Sequence, residues 1–224
     1  MTADGGLHVV VMAKYPVAGR VKTRLAARLG NDGAATLQTA FLRDLAARLA
    51  VGGHVPTWAV DPPDAPFAAL IPGARTIPQR GAHLGARMGN ALADVWADGV
   101  RPTVLLGADL PHLPLERLDQ AARALAGGAD VVLGPALDGG YYLLALARPA
   151  PSLFGDLRWG GPTVLTETRA CADAAGLRVA QLAPERDVDT WDDLLALAAH
   201  VAAHPGALPH TAAALAALDV AATQ

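Results

Sequence analysis

The chain has 224 residues and a mass of 22.9 kDa, a size at which single α/β domains are ordinary, and 52% hydrophobic against 17% charged residues excludes a disordered protein. One cysteine, Cys171, excludes an intramolecular disulfide, a thiolate zinc site and a CxxC redox pair, and makes a reducing cytoplasm the expected compartment. A net charge of −3 argues against general nucleic-acid binding, no apolar run reaches the ~20 residues of a bilayer crossing, and Met1–Pro16 lacks the basic start of a signal peptide.

Short β-rich runs fall at Leu7–Ala13, His54–Val60, Thr103–Leu106, Val131–Gly134 and Tyr141–Ala147, with a weaker one at Leu177–Leu182. Helical periodicity covers Gly33–Ala50, Leu84–Ala97, Leu115–Ala126, Thr163–Ala175 and Thr190–His204, and the Ala-rich tail Pro205–Gln224 reads as a last helix. Apolar strands alternating with amphipathic helices predict a mainly parallel sheet covered on both faces. The two runs around Pro135–Gly140 lack a crossover helix, so they predict a local antiparallel hairpin. Residues 1–224 are expected to form one domain.

Directly after the first strand, Lys14–Leu25 holds Lys14, Arg20, Lys22 and Arg24 and no acid. Ligands of open α/β sheets settle at the carboxyl ends of strands, so this loop suits a phosphate group, with Gly19 allowing close backbone approach. A solvated basic loop ahead of a helix is the plainer alternative. Neither a Walker A loop nor a GxGxxG fingerprint is present. Further on, Pro78–Met88 leads into a helix, and its Gly85 suits either passage of a ribose or base or close helix packing. His83 lies in the same stretch.

The strand ending at Leu106 is followed by Asp109 in Gly107–Pro111, on the same rim as the cations. One carboxylate near phosphates is the usual partner of Mg²⁺, whereas a helix cap or Asx turn is the structural alternative. His112 reads as a lone surface residue. In Gly134–Leu144, Asp138-Gly139-Gly140 is a turn signal in isolation, and functionally its bare glycines suit a sugar or phosphate with Asp138 pointing into the site. Trp159 opens another loop-to-helix junction that could wall an acceptor pocket. In Glu185–Leu194, Asp187 and Asp189 project to one side of an extended chain and could face one cation, while Asp189 or Thr190 caps the next helix. His200 and His204 read as solvated, and Cys171 as a small buried hydrophobe.

Five of these segments in order, Lys14–Leu25, Leu84–Met88, Gly107–Pro111, Gly134–Leu144 and Asp187–Thr190, resemble a family of small bacterial transferases described as glycosyltransferase-like. The resemblance implies the GT-A, nucleotide-diphospho-sugar transferase fold, which also serves guanylyl and cytidylyl transferases acting on small phosphorylated compounds. Two departures stand out: Gly107-Ala108-Asp109 replaces the Asp-x-Asp of many sugar-nucleotide transferases, and His83 stands where an acid is expected. On this basis Asp109, with Asp187 or Asp189, is expected to hold Mg²⁺ or Mn²⁺. Lys14, Gly19, Arg20, Lys22, Arg24, Gly85, Gly139 and Gly140 are the expected nucleotide and phosphate contacts, and Asp109 and Asp138 the catalytic pair. The first expectation is glycosyl transfer from a nucleotide sugar to a small acceptor. Nucleotidylyl transfer from an NTP to a phosphorylated acceptor, with pyrophosphate release, is the alternative, and a non-catalytic nucleotide-binding module the third. No nucleic-acid or membrane partner is expected.

Overall fold

The computed structural model describes residues 6–220; Met1–Gly5 and the last four residues of the expected tail helix lie outside the described residues. Seven strands make one sheet: β1 His8–Lys14, β2 Thr57–Asp61, β3 Arg75–Pro78, β4 Thr103–Gly107, β5 Val131–Pro135, β6 Tyr141–Leu146 and β7 Val179–Gln181, in the order β3-β2-β1-β4-β6-β5-β7. β6 runs antiparallel to both β4 and β5, and every other pairing is parallel. The mainly parallel sheet with one hairpin is therefore as the apolar runs predict. β3 and the single turn α2 (Phe67–Leu70) are additions, because each spans only four residues and Arg75 and Thr76 are exposed.

Period-two alternation in β1 divides the core. Val9, Val11 and Ala13 face one layer, where α1 (Thr23–Val51) contributes Leu42, Leu45 and Leu49 and α4 (Glu116–Ala126) contributes Leu118, Ala121 and Leu125. Val10 faces the other, against Met88, Ala91, Leu92 and Trp96 of α3 (Leu84–Trp96), a 3-10 turn at Pro151–Phe154 and Ala172 of α5 (Val164–Ala174). A third layer packs α6 (Trp191–Ala203) and α7 (Pro209–Ala217) on Leu37 and Phe41 of α1. Buried Asp44 of α1 fastens α7 by accepting from the backbone N–H groups of His210 (3.1 Å) and Thr211 (2.7 Å).

The first helix starts ten residues earlier than its periodicity indicates. Gly30 (φ 71°, ψ 167°) breaks it, so the chain turns between an initial segment and the long helix that covers the sheet. That break leaves a short first segment, with Arg24, directly after the loop that follows β1.

Candidate functional site

A cavity of about 720 Å³ opens at the carboxyl ends of β1 and β4, adjacent parallel strands whose following chains diverge. Its lining includes Lys14, Arg20, Lys22, Arg24, Asp109, Asp138, Gly140, Asp187 and Asp189, so cations from the start of the chain meet carboxylates from its middle and end.

Lys22 is the junction. Its backbone is left-handed (φ 45°, ψ 44°) at the start of α1, and its side chain is 2% exposed. The ammonium donates to the Val188 carbonyl (2.7 Å) and to Asp189 Oδ1 (3.3 Å), pairs with Asp109, and lies over the Phe41 ring. Val188 N–H donates in turn to the Asp109 carbonyl (3.0 Å). Three segments far apart in sequence are thus tied at one buried charge, and the three ammonium hydrogens are all engaged. The expectation of Lys22 as a free phosphate contact is met differently: its charge is already matched to two acids. Lys14 and Arg20 make no ion pair among the described residues, and Arg24, 70% exposed, approaches Asp189 at only 3.8 Å.

Thr190, rather than Asp189, caps α6: its hydroxyl accepts from Asp193 N–H while Asp193 accepts from Thr190 N–H. Asp189 is thereby left for the cavity. Burial, then the neighbouring charges of Asp138, Asp189 and Asp109, raises the Asp187 carboxyl to about 6. Four carboxylates crowding one wall carry more negative charge than Lys22 offsets. Among the described residues no group of three or more His, Cys, Asp or Glu side chains could cage a metal by itself. A cation that takes one or two carboxylates and completes its shell with phosphate and water, as Mg²⁺ does, fits this arrangement; a zinc-type cage does not.

The glycines divide. Gly140 lines the cavity, and its N–H donates to Asp138 Oδ1 (2.8 Å), so Asp138 both closes an Asx turn and faces the site. Gly139, Gly85 and Gly19 are not among the lining residues. At Gly139 (φ 92°) an added Cβ would stand 2.0 Å from the Pro162 carbonyl oxygen, so its bareness admits the neighbouring loop, which brings Gly160 and Gly161 to the cavity. At Gly85 a Cβ would lie 2.1 Å from Trp159, a helix-packing role, and Trp159 packs there instead of walling the pocket. Gly19 (φ 79°) shapes the turn closed by Arg20 N–H on the Val17 carbonyl (3.0 Å), which presents Arg20.

The stretch Pro78–Met88 stood out in the sequence for its glycines, but the side chains it brings to the cavity include Gln79 and Arg87, the latter paired with Asp61 at 3.0 Å; buried Gln38 of α1 also lines the cavity and had no signal. Isolated amides inside apolar patterns look like any other interruption. His112 is not a lone surface residue: its ring packs 5.2 Å from His200, which stacks 4.3 Å from His204. Burial first, then His200 and Arg48, lowers His112 to about 4.

Residues 36–161, more than half of the chain, match the family described as "Uncharacterized protein conserved in bacteria (DUF2064)". The chain belongs to that family. It is 30% identical over 189 residues to a 2-phospho-L-lactate guanylyltransferase of Haloarcula marismortui, covering 83% of this chain and 84% of that protein. A phosphoenolpyruvate guanylyltransferase of Rhodococcus erythropolis is 33% identical over 147 residues, 57% of this chain and 64% of the relative. Among solved structures, a candidate nucleotide-diphospho-sugar transferase from Desulfovibrio desulfuricans G20 superposes with a TM-score of 0.84 at 34% identity, covering 94% of this chain and 95% of that one. This DUF2064 protein is a transferase with the nucleotide-diphospho-sugar transferase fold. No helix among its described residues is long and apolar enough to cross a membrane.

Proposed function

We propose that this DUF2064 protein is a single-domain cytoplasmic guanylyltransferase that joins GMP from GTP to a small phosphorylated acid and releases pyrophosphate. The observation that carries this is the convergence, in one cavity, of unpaired Lys14 and Arg20 with the Lys22–Asp109–Asp189 knot. The guanylyltransferase relatives favour this alternative over the first expectation of glycosyl transfer. In the reaction a phosphate oxygen of the acceptor attacks the α-phosphorus of GTP. The new P–O bond forms as the bond to the β-phosphate oxygen breaks, and pyrophosphate departs with its electron pair. Lys14, Arg20 and Arg24 take up the charge that grows on the leaving group. Asp109, with Asp187 or Asp189, would hold Mg²⁺ or Mn²⁺, which supplies Lewis-acid neutralisation of the phosphates. Lys22 fixes where Asp109 and Asp189 stand. The acceptor phosphate is already ionised, so Asp138 orients rather than deprotonates.

Incubation with Mg²⁺, each of the four NTPs and a set of small phospho-acids checks the proposal by pyrophosphate release. Release with GTP that requires a phospho-acid is expected. Sugar transfer from an NDP-sugar without pyrophosphate would overturn it in favour of the glycosyl reading, to which the Desulfovibrio neighbour's description lends support. In that reading Asp138 would be the base for an acceptor hydroxyl.

A further inference from the structure

Arg117 stands in the first turn of α4, eight residues after Asp109, and its side chain is 18% exposed. Its Nε and Nη2 both reach Glu185 Oε1 at 2.8 Å, and Nη1 donates to the Gln120 side-chain oxygen at 3.0 Å. Glu185, 16% exposed, lies two residues before Asp187 and four before Asp189. Its backbone is stitched to the turn between β5 and β6. Glu185 N–H donates to the Pro135 carbonyl (3.0 Å), and Leu137 N–H, one residue before Asp138, donates to the Glu185 carbonyl (3.2 Å). Neither Arg117 nor Glu185 is among the residues lining the cavity.

We infer that Arg117 is a positioning residue for the metal-holding acids, setting through Glu185 where Asp187 and Asp189 stand relative to Asp109 and Asp138. Between β7 and α6 the chain has only a single bridge, Ala136 to Glu185, and no helix or strand to fix its path. Discrete ties locate it instead: Lys22 holds Val188 and Asp189 beside the cavity, and the Arg117 fork holds Glu185 outside it. A planar guanidinium with two nitrogens on one carboxylate oxygen and the third on Gln120 has little freedom to turn. Because α4 follows the Asp109 loop, a displacement of Glu185 against α4 is a displacement of Asp187 and Asp189 against Asp109. Groups that orient metal ligands without touching the ion typically change metal affinity by about 10–100-fold. The sign of the effect separates position from charge. By Coulomb attraction alone, deleting Arg117 would strengthen cation binding, since it removes a positive charge and unpairs Glu185. Loss of position weakens it.

The inference rests on the metal-holding part of the proposed reaction, and not on the base or the acceptor. Calorimetry on the full chain with inorganic tripolyphosphate, alone and as its Mn²⁺ complex, reads it as the gain in affinity that the metal brings. A gain of about tenfold or more is expected for the wild type. Arg117→Met is expected to cut that gain by about fivefold or more, while metal-free tripolyphosphate binds within about twofold of the wild type, which also reports that the variant is folded. Arg117→Lys keeps the charge without the fork and is expected to lose about two- to threefold of the gain. An unchanged or larger gain in Arg117→Met would overturn the inference, even where GTP and a phospho-acid still yield pyrophosphate. If that variant does not fold, an unchanged gain in Arg117→Lys overturns it equally. An Arg117-dependent gain without any transfer to phospho-acids would sink the proposed reaction alone. No gain from Mn²⁺ in the wild type would remove the metal assignment and the inference together.

Discussion

Lys22 is a buried cation whose partners are half exposed, and this asymmetry decides what its loss would do. Asp109 and Asp189 can still be solvated, so Lys22→Met is expected to cost about 1–2 kcal/mol of stability, below the 3–5 kcal/mol typical when a fully buried pair is broken. The catalytic loss should be larger, on the order of a hundredfold or more in kcat, because Asp109 and the 187–189 segment lose the link that sets their spacing. Urea unfolding beside steady-state rates separates the two effects. His112 gives the pH-dependent counterpart. Its folded value of about 4 lies below the ordinary 6.5, so the folded state favours the neutral ring. The stability this contributes is complete above pH 6.5 and is lost as pH falls from 6.5 towards 4. The shift corresponds to at most about 3 kcal/mol. Replacing His112 by Leu is expected to flatten the fall in unfolding free energy across that window, while leaving the profile above pH 7 unchanged.

At the scale of elements, α3 offers a matched pair of glycines in one helix. Gly85 has Trp159 where its Cβ would be, at 2.1 Å, whereas the nearest neighbour of a Cβ on Gly89 is Phe154 at 3.5 Å, an ordinary contact. Gly85→Ala is therefore expected to destabilise by about 1–3 kcal/mol through overpacking, and Gly89→Ala to be neutral or stabilising by up to ~1 kcal/mol from helix propensity. Thermal melts of the two variants check the contrast. The pair also marks what a sequence can carry. Both glycines sit in the same apolar helical pattern, and nothing local tells which one faces an indole 74 residues away in the chain. The strands and the longer helices were legible because burial imposes a period on them. The Gly30 break and β3 were not, since a four-residue edge strand has almost no period to show.

For the molecule as a whole, the meeting of Lys14–Arg24 with Asp109 and Asp187–Asp189 was legible because strand ends of a parallel sheet share one rim. Composition placed all three segments at strand ends or just beyond. What each side chain does there was less legible: Lys22 faces inward to acids, Gly85 and Gly139 face protein, and Gln79 enters from a strand the pattern omits. The third layer shows the same limit. Asp44 looks like an ordinary polar position of α1, but its fully buried carboxylate fills the N-terminal turn of α7 with two hydrogen bonds. An anion there satisfies orphan N–H groups and opposes the helix dipole. Asp44→Ala would leave both donors without a partner against the apolar layer of Phe41 and Leu215, at a cost of about 2–4 kcal/mol. The loss should be local before it is global. Hydrogen exchange is expected to quicken first in residues 209–217, while amides of β1 and β4 keep their protection until the whole sheet opens. Uniform loss of protection across sheet and α7 would mean that the third layer is welded to the core by its apolar contacts, and that the carboxylate is incidental.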